Sequence, residues 1–352
     1  MEPHDDAIYA GREPRHPGMT KTAALVYGKI PPDASADERD TLIQADAMRA
    51  SLGRLGWATV DVPVTLDLSA ASAALRAASP AIVFNLVEGL EGTGRLIALV
   101  PSLLDSLGIP YTGASAEAIF LTSNKLLGKD ILKKAGIRTP PWITAGDAAA
   151  GERPEFPPPF IIKYAWEHAS IGLDDQAVCG SADVLAARLA ERAKGMGGRG
   201  VYAEPYIEGR EFNLSLIGGG PRGPENLPPA EIRFIDFPPD RPKVVGYRAK
   251  WAEDSYEFTH TPRSFEFSPQ DAPLLEKLMK ISRECWRAFD LRGYARVDFR
   301  VDGAGEPWVL EINANPCIAP DSGFIAAAAQ AGLDVDGVVR RIIQDTLGKD
   351  TL

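Results

Sequence analysis

Short apolar runs and longer stretches of helical periodicity alternate along the chain, separated by glycine and proline. Thr22 to Tyr27 is an apolar run that ends at Gly28, as a buried strand would. Leu42, Ala45, Met48 and Leu52 then recur at helix spacing over residues 36–55, Gly56 ends that helix, and residues 58–64 return to strand. A second helix over 68–78 leads into another apolar strand at 81–86. Strand–helix–strand repetition with short connections predicts a parallel, doubly wound sheet. Ligands of such sheets gather at the C-terminal ends of the strands, which here include the glycine-rich stretch from Asn85 to Arg95. Its Glu88 and Glu91 are suited to hold an amino group.

Further on, residues 125–135 read as a helix stopped by Gly136, and residues 146–159 as a Pro-, Ala- and Gly-rich surface loop. Phe160 to Tyr164 is a strand from which Lys163 projects, and an ammonium on a buried strand needs an anion. A helix over 181–194, capped by Ser181, precedes a strand-rich segment at 201–217. There Phe212, Leu214 and Leu216 alternate with Glu211, Asn213 and Ser215. Strands are expected at 230–237 and 244–251, then a helix at 273–289 and a closing helix over 324–347.

Before that last helix, residues 294–313 form a hairpin pattern. Ala295, Val297 and Phe299 take one face of its first strand, and Arg296, Asp298 and Arg300 the other. In the second strand Leu310 and Ile312 oppose Glu311 and Asn313. An even turn, residues 302–305, would bring both polar sets to one side of the sheet. Asp298, Glu311 and Asn313 would then converge beside Arg296 as hard oxygen ligands of the kind that suits Mg²⁺ shared with phosphates.

Composition narrows the partners. The 352 residues exceed one small core and suggest two or three domains. A net charge of −10 argues against nucleic acid or an anionic membrane. No long apolar run suggests a membrane span, and the start of the chain lacks the apolar core of a signal peptide. The three cysteines lack metal or disulfide-framework spacing, which fits a reducing, cytoplasmic setting. No Gly-x-x-x-x-Gly-Lys-Ser/Thr loop occurs, which disfavours a P-loop kinase.

Arg296-Val-Asp298 followed by Glu311-Ile-Asn313-Ala-Asn-Pro316 resembles the metal-binding signature of ATP-grasp enzymes, in the D-alanine–D-alanine ligase branch. The Gly108-Ile-Pro-Tyr-Thr-Gly113 turn, Lys125 opening a helix, and the segment from Glu204 to Gly209-Arg-Glu211 are similar to the same family. The resemblance runs from Thr22 to the C-terminus. It implies an α/β chain, α+β in its later parts: a Rossmann-like N-terminal domain (21–117) before an ATP-grasp fold with central (118–207) and C-terminal (208–352) subdomains. Residues 1–20 are left as a poorly ordered leader.

The same resemblance implies an ATP-dependent carboxylate–amine ligase working through an acyl phosphate, with Mg²⁺ (two ions, Mn²⁺ as substitute) and amino-acid or peptide substrates. It also implies a homodimer. Lys125, Lys163 and Lys250 are expected on the ATP phosphates, together with Ser170 of a glycine-rich loop. The backbone from Glu204 through Tyr206 to Ile207 is expected to read adenine, and Glu211 to take the ribose hydroxyls. Arg296 would stabilise the transferred phosphoryl group, Ser322 a substrate carboxylate, and Glu38 a closing contact near the first substrate. The chain departs from the family at Ala169, Trp251 and Cys317, which replace Ser, Tyr and Gly. Those changes leave open a ligase for other amino acids or peptides in a specialised pathway; a nucleotide-binding regulator without turnover is a separate alternative, which the intact Lys, Asp, Glu and Asn positions disfavour.

Overall fold

The computed structural model describes residues 21–31, 33–166, 173, 176–194, 200–220, 223–238 and 241–348. At its N-terminal end, strands β1 (Thr22–Gly28), β2 (Ala58–Val64) and β3 (Ile82–Asn85) alternate with helices α1 (Ala36–Arg54) and α2 (Leu68–Ala78), and α3 (Leu99–Leu107) follows. The strands pair in parallel in the order β2-β1-β3. β1 is covered on both faces, which explains its unbroken apolar run. Ala23, Leu25 and Tyr27 pack with Met48 and Leu52 of α1. Ala24 and Val26 pack with Leu75 of α2 and Leu104 of α3. Full burial of Met48 and Leu52 contributes roughly 1.5–3 kcal/mol apiece.

Helices α4 (Ala116–Ser123) and α5 (Lys125–Lys134) lead to a four-stranded antiparallel sheet. It comprises β4 (Ile143–Thr144), β5 (Phe160–Tyr164), β6 (Val178–Cys179) and β7 (Val201–Pro205), ordered β4-β7-β5-β6. Helices α6 (Ala145–Ala149) and α7 (Ala182–Lys194) pair with it, and Leu185 and Leu189 of α7 close its core against Phe160 and Ile162.

The third sheet carries β8 (Arg210–Ile217), β9 (Glu225–Asn226), β10 (Ala230–Ile232), β11 (Arg263–Ser264), β12 (Tyr294–Val301) and β13 (Pro307–Asn313). Its order is β11-β10-β8-β12-β13, with β9 against β8. Short helices α8 (Tyr247–Trp251) and α9 (Tyr256–Thr259) lie between β10 and β11. Helix α10 (Ala272–Ala288) buries Leu278, Cys285 and Trp286 in the core that holds Phe212, Leu214 and Leu216 of β8. Helices α11 (Gly323–Gln330) and α12 (Val335–Leu347) complete the chain. They bury Phe324, Ile342 and Ile343 in the same core as Leu25 and Met48, so the N-terminal sheet and the chain's end share one apolar layer.

Two expected strands differ. The one at 230–237 shrinks to β10, because Asp236 turns the backbone to φ 54° and pairing continues only as isolated bonds from Arg233 and Ile235 to Pro262 and His260. The stretch at 244–251 ends as α8 rather than a strand. Gly246 lies so close to the Leu173 carbonyl that a Cβ would approach it to 2.4 Å, which favours a bare backbone at the turn into that helix.

The hairpin β12–β13 reaches its expected facing by another route. Val301 pairs with Pro307, so five residues rather than four make the turn, and the register slips by one between Asp298 and Phe299. Leu310 is the extra residue: Phe299 faces Val309 while Asp298 faces Glu311. Side chains alternate with period two, so an odd turn alone would drive Glu311 and Asn313 into the core. The bulge restores them to the face of Arg296 and Asp298. Val309 takes the core place expected of Leu310, and Leu310 turns to the cleft.

Candidate active site

A cleft of about 790 Å³ opens between the two antiparallel sheets and the C-terminal end of the parallel one. On its floor Arg296 forks onto Asp298, Nε to Oδ1 at 2.7 Å and Nη2 to Oδ2 at 2.8 Å. Asn213 of β8, in register with Asp298, donates to the same carboxylate at 2.8 Å. Burial works against the Arg296 charge, and Asp298 outweighs it, holding the guanidinium above its ordinary pKa. Across the pair, Glu311 meets Lys125 at 3.0 Å. Asn313 completes the row and accepts from the Asn315 N–H at 3.0 Å. Among the described residues no cluster of three or more His, Cys, Asp or Glu forms a metal cage. Mg²⁺ needs only one or two carboxylates beside substrate phosphates, and Asp298, Glu311 and Asn313 fit that donor set.

Lys125 opens α5, where the Asn124 side chain caps the helix by accepting from the N–H groups of Leu126 and Leu127. One turn later Lys129 points to the other sheet. Its ammonium is 2.6 Å from Glu204 Oε2, while Lys163 of β5 holds Glu204 Oε1 at 2.6 Å. Lys129 also donates to Thr139 Oγ1 and the Pro140 carbonyl. Burial lowers the Lys129 pKa to about 8, with Glu204 opposing. Burial alone would raise Glu204, but Lys129 and Lys163 together hold it below the ordinary carboxylate range. Sequence reasoning missed Lys129, although its spacing of four from Lys125 was a visible signal. Glu204, for which the sequence reading gives a role only to its backbone, has its side chain as the buried centre of an ion triad.

The far wall of the cleft carries Tyr206, Ile207, Glu211, Lys250 and Arg300. Glu211 pairs with Arg300 at 2.8 Å. Lys250 reaches the cleft from α8, where burial first and Arg296 second lower its pKa. Trp251, beside it, also lines the cleft, and its indole N–H is buried with no partner among the described residues.

At the end facing the parallel sheet the lining changes to Asp40, Glu88, Cys317, Arg263 and Ser322. Glu38 does not join it. Its carboxylate closes the capping box of α1, accepting from the Ser35 N–H at 2.8 Å and hydroxyl at 2.9 Å, and the acid that α1 sends into the cleft is Asp40. Helical geometry separates the two: positions 38 and 40 lie on different faces. Glu88 accepts from Gln44 at 2.9 Å, whereas Glu91 lies in a turn with φ 51° and does not line the cleft. Cys317 donates to Asp40 at 3.0 Å. Burial, then Glu88 and Asp40, push its thiol up, which is the opposite of an activated nucleophile. Ser322 lines the cleft while capping α11 through the Ile325 N–H. Nothing in the pattern around Arg263 singled it out, because it lies on a two-residue strand. Ser170 and Ala169 lie outside the described residues.

A parallel α/β unit joined to two antiparallel sheets that enclose a cleft of lysines and acids is the architecture of an ATP-grasp ligase. Residues 131–344 match the family described as the D-ala D-ala ligase C-terminus. A D-alanine–D-alanine ligase of a Synechococcus species is 32% identical over 275 residues, covering 75% of this chain and 76% of that protein. The uncharacterized protein y4sG of Sinorhizobium fredii is 30% identical over 271 residues, covering 74% and 73%. The solved D-alanine–D-alanine ligase of Bacillus anthracis complexed with ATP superposes with a TM-score of 0.70 at 24% identity, covering 93% of this chain and 98% of that one. That superposition shows the shared fold. The chain belongs to the D-alanine–D-alanine ligase family, and is an ATP-dependent ligase of that kind.

Proposed function

We propose that the protein activates the carboxylate of one amino acid with ATP and joins it to the amine of a second. The observation that carries this reading is the common cleft: Lys125, Lys163 and Lys250 line it together with Arg296, Asp298 and Glu311. Three ammonium groups and a guanidinium suit a triphosphate, and the B. anthracis relative, described as complexed with ATP, supports that ligand. When bound by Asp298, Glu311 and Asn313, Mg²⁺ would neutralise part of the triphosphate charge.

In this reading the carboxylate oxygen attacks the γ-phosphorus and ADP leaves; the neutral amine nitrogen then attacks the resulting carbonyl, gives up one proton, and inorganic phosphate departs carrying it. The side chains orient and balance charge and need no covalent change. Arg296, already aligned by Asp298, faces the transferred group. Tyr206, Ile207 and Glu211 border the adenosine end, and Ser170 is assigned to the phosphates. Ser322 and Arg263 suit a substrate carboxylate, and Asp40 and Glu88 an ammonium group. The free cysteines suit a reducing cytoplasm, and among the described residues no helix is long and apolar enough to cross a membrane.

D-Alanine pairs are the reference substrates. Ligation of other amino acids is favoured by the indole of Trp251 and the thiol of Cys317 in the wall, which reshape the pocket for the reacting carboxylate. ADP release measured over pairs of D- and L-amino acids tests both. Release that requires a pair supports the ligase and names its substrates; nucleotide binding without ADP from any pair would contradict turnover.

A further inference from the structure

Arg300 has no role in the scheme above, yet it is among the most buried charges of the cleft, with its side chain 6% exposed. It extends from β12 on the same face as Arg296 and Asp298, directly opposite Glu211 of β8. Its guanidinium meets the Glu211 carboxylate at 2.8 Å, donates to the Gly209 carbonyl at 3.1 Å, and donates to the Lys243 carbonyl. Phe234 and Tyr206 flank it, at 5.2 Å and 5.9 Å from their ring centroids. Tyr206, from the end of the central sheet, grips the same residue. Its hydroxyl accepts from the Lys243 N–H at 2.9 Å and donates to the Lys243 carbonyl at 3.2 Å. Lys243 therefore has both backbone groups held, one sheet contributing Tyr206 and the other Arg300. It begins the segment that delivers Lys250 on α8.

We propose that Arg300 is a positioning residue that ties the ribose end of the nucleotide site to the Lys250 segment. One planar fork sets the Glu211 carboxylate and fastens the Lys243 backbone, a division of labour that an ammonium cannot reproduce. Nucleotide held by Glu211 then meets a Lys250 that is already placed. This inference rests on the assignment of ATP to the cleft and of its ribose to Glu211.

The test compares binding of ATP and 2′-deoxy-ATP, by calorimetry, to wild type, Arg300→Met and Tyr206→Phe. Wild type is expected to prefer ATP. Arg300→Met should weaken ATP binding by about tenfold or more and lose the preference for the 2′-hydroxyl. Tyr206→Phe, which removes one of the two grips on Lys243 but leaves the Arg300–Glu211 pair, should weaken ATP while keeping the preference. Kinetically, Arg300→Met should raise the KM for ATP and leave the KM of the amino acids unchanged. An Arg300→Met protein that still prefers ATP would overturn the proposal. If Arg300→Met does not fold, Arg300→Lys serves, and it too should lose the preference. Wild type that binds no ATP would instead overturn the nucleotide assignment beneath it.

Discussion

Lys129, Glu204 and Lys163 show how much a single buried carboxylate can organise. Glu204 is 1% exposed and holds an ammonium on each oxygen, so it keeps Lys163 aimed while Lys129 supplies the second balancing charge. The folded pKa of Lys129 is depressed to about 8. Between that value and the ~10.4 of an unfolded lysine, the unfolded chain holds a proton that the folded chain has lost. Stability from this site therefore rises with pH across that window, by at most ~1.4 kcal/mol per unit. Urea unfolding at about pH 7 and pH 9.5 should show the advantage of wild type over Lys129→Met widening; a shrinking advantage would contradict the burial argument. A second substitution addresses chemistry. Asp298→Asn keeps size and shape but removes the charge that aligns Arg296 and suits a metal, so ADP release should fall about 10²-fold or more with the circular dichroism spectrum unchanged. Activity equal to wild type would remove Asp298 from the site. The acids and lysines were legible because strand alternation and family spacing both mark them. Glu38 misled because residues 38 and 40 of a helix are neighbours in sequence and not in direction. Arg263 was hidden because two residues carry no periodicity.

The hairpin β12–β13 is the element on which the site depends most. Its facing arises from two irregularities that cancel, an odd turn and a bulged Leu310. Alternation read from sequence gave the right polar face, but not the means of reaching it, because a bulge leaves no signature in a run such as Trp308-Val-Leu-Glu. Deleting Leu310 would join Val309 directly to Glu311, removing the extra residue while leaving Glu311 opposite Asp298 and Asn313 opposite Arg296 on the cleft face. That variant should fold and keep ADP release within about tenfold of wild type, because the polar facing survives. Leu310→Ala, which keeps the bulge, should likewise retain activity within about tenfold; loss of ADP release in the deletion alone would show that the local twist of the bulge, not the facing it restores, is decisive. The segment before α8 illustrates the opposite limit. Its apolar and basic residues read as a strand, but Pro242 and Gly246 withdraw the backbone from any sheet, and proximity to Leu173 sets its path.

At the scale of the whole molecule the cleft is a product of three separate parts of the chain. The parallel sheet brings Asp40 and Glu88, helix α5 and the central sheet bring Lys125, Lys163 and Tyr206, and the last sheet brings the acids, Arg296 and Arg300. The shared apolar layer between α1 and helices α11–α12 fixes the first of these against the third. Strand–helix alternation made the N-terminal architecture readable, because both faces of β1 are buried and its apolar run is continuous. The antiparallel parts were readable chiefly through their motifs, since strands of two or three residues carry little pattern.

Within the cleft Lys125 pairs with Glu311 and Lys163 with Glu204. A crystal structure with Mg²⁺ and a non-hydrolysable ATP analogue tests the account directly. It should show the triphosphate between Lys125, Lys163 and Lys250, the metal against Asp298 and Glu311, and the Lys125–Glu311 contact exchanged for phosphate. An analogue bound elsewhere, or both lysine–glutamate pairs intact with the triphosphate out of their reach, would contradict it.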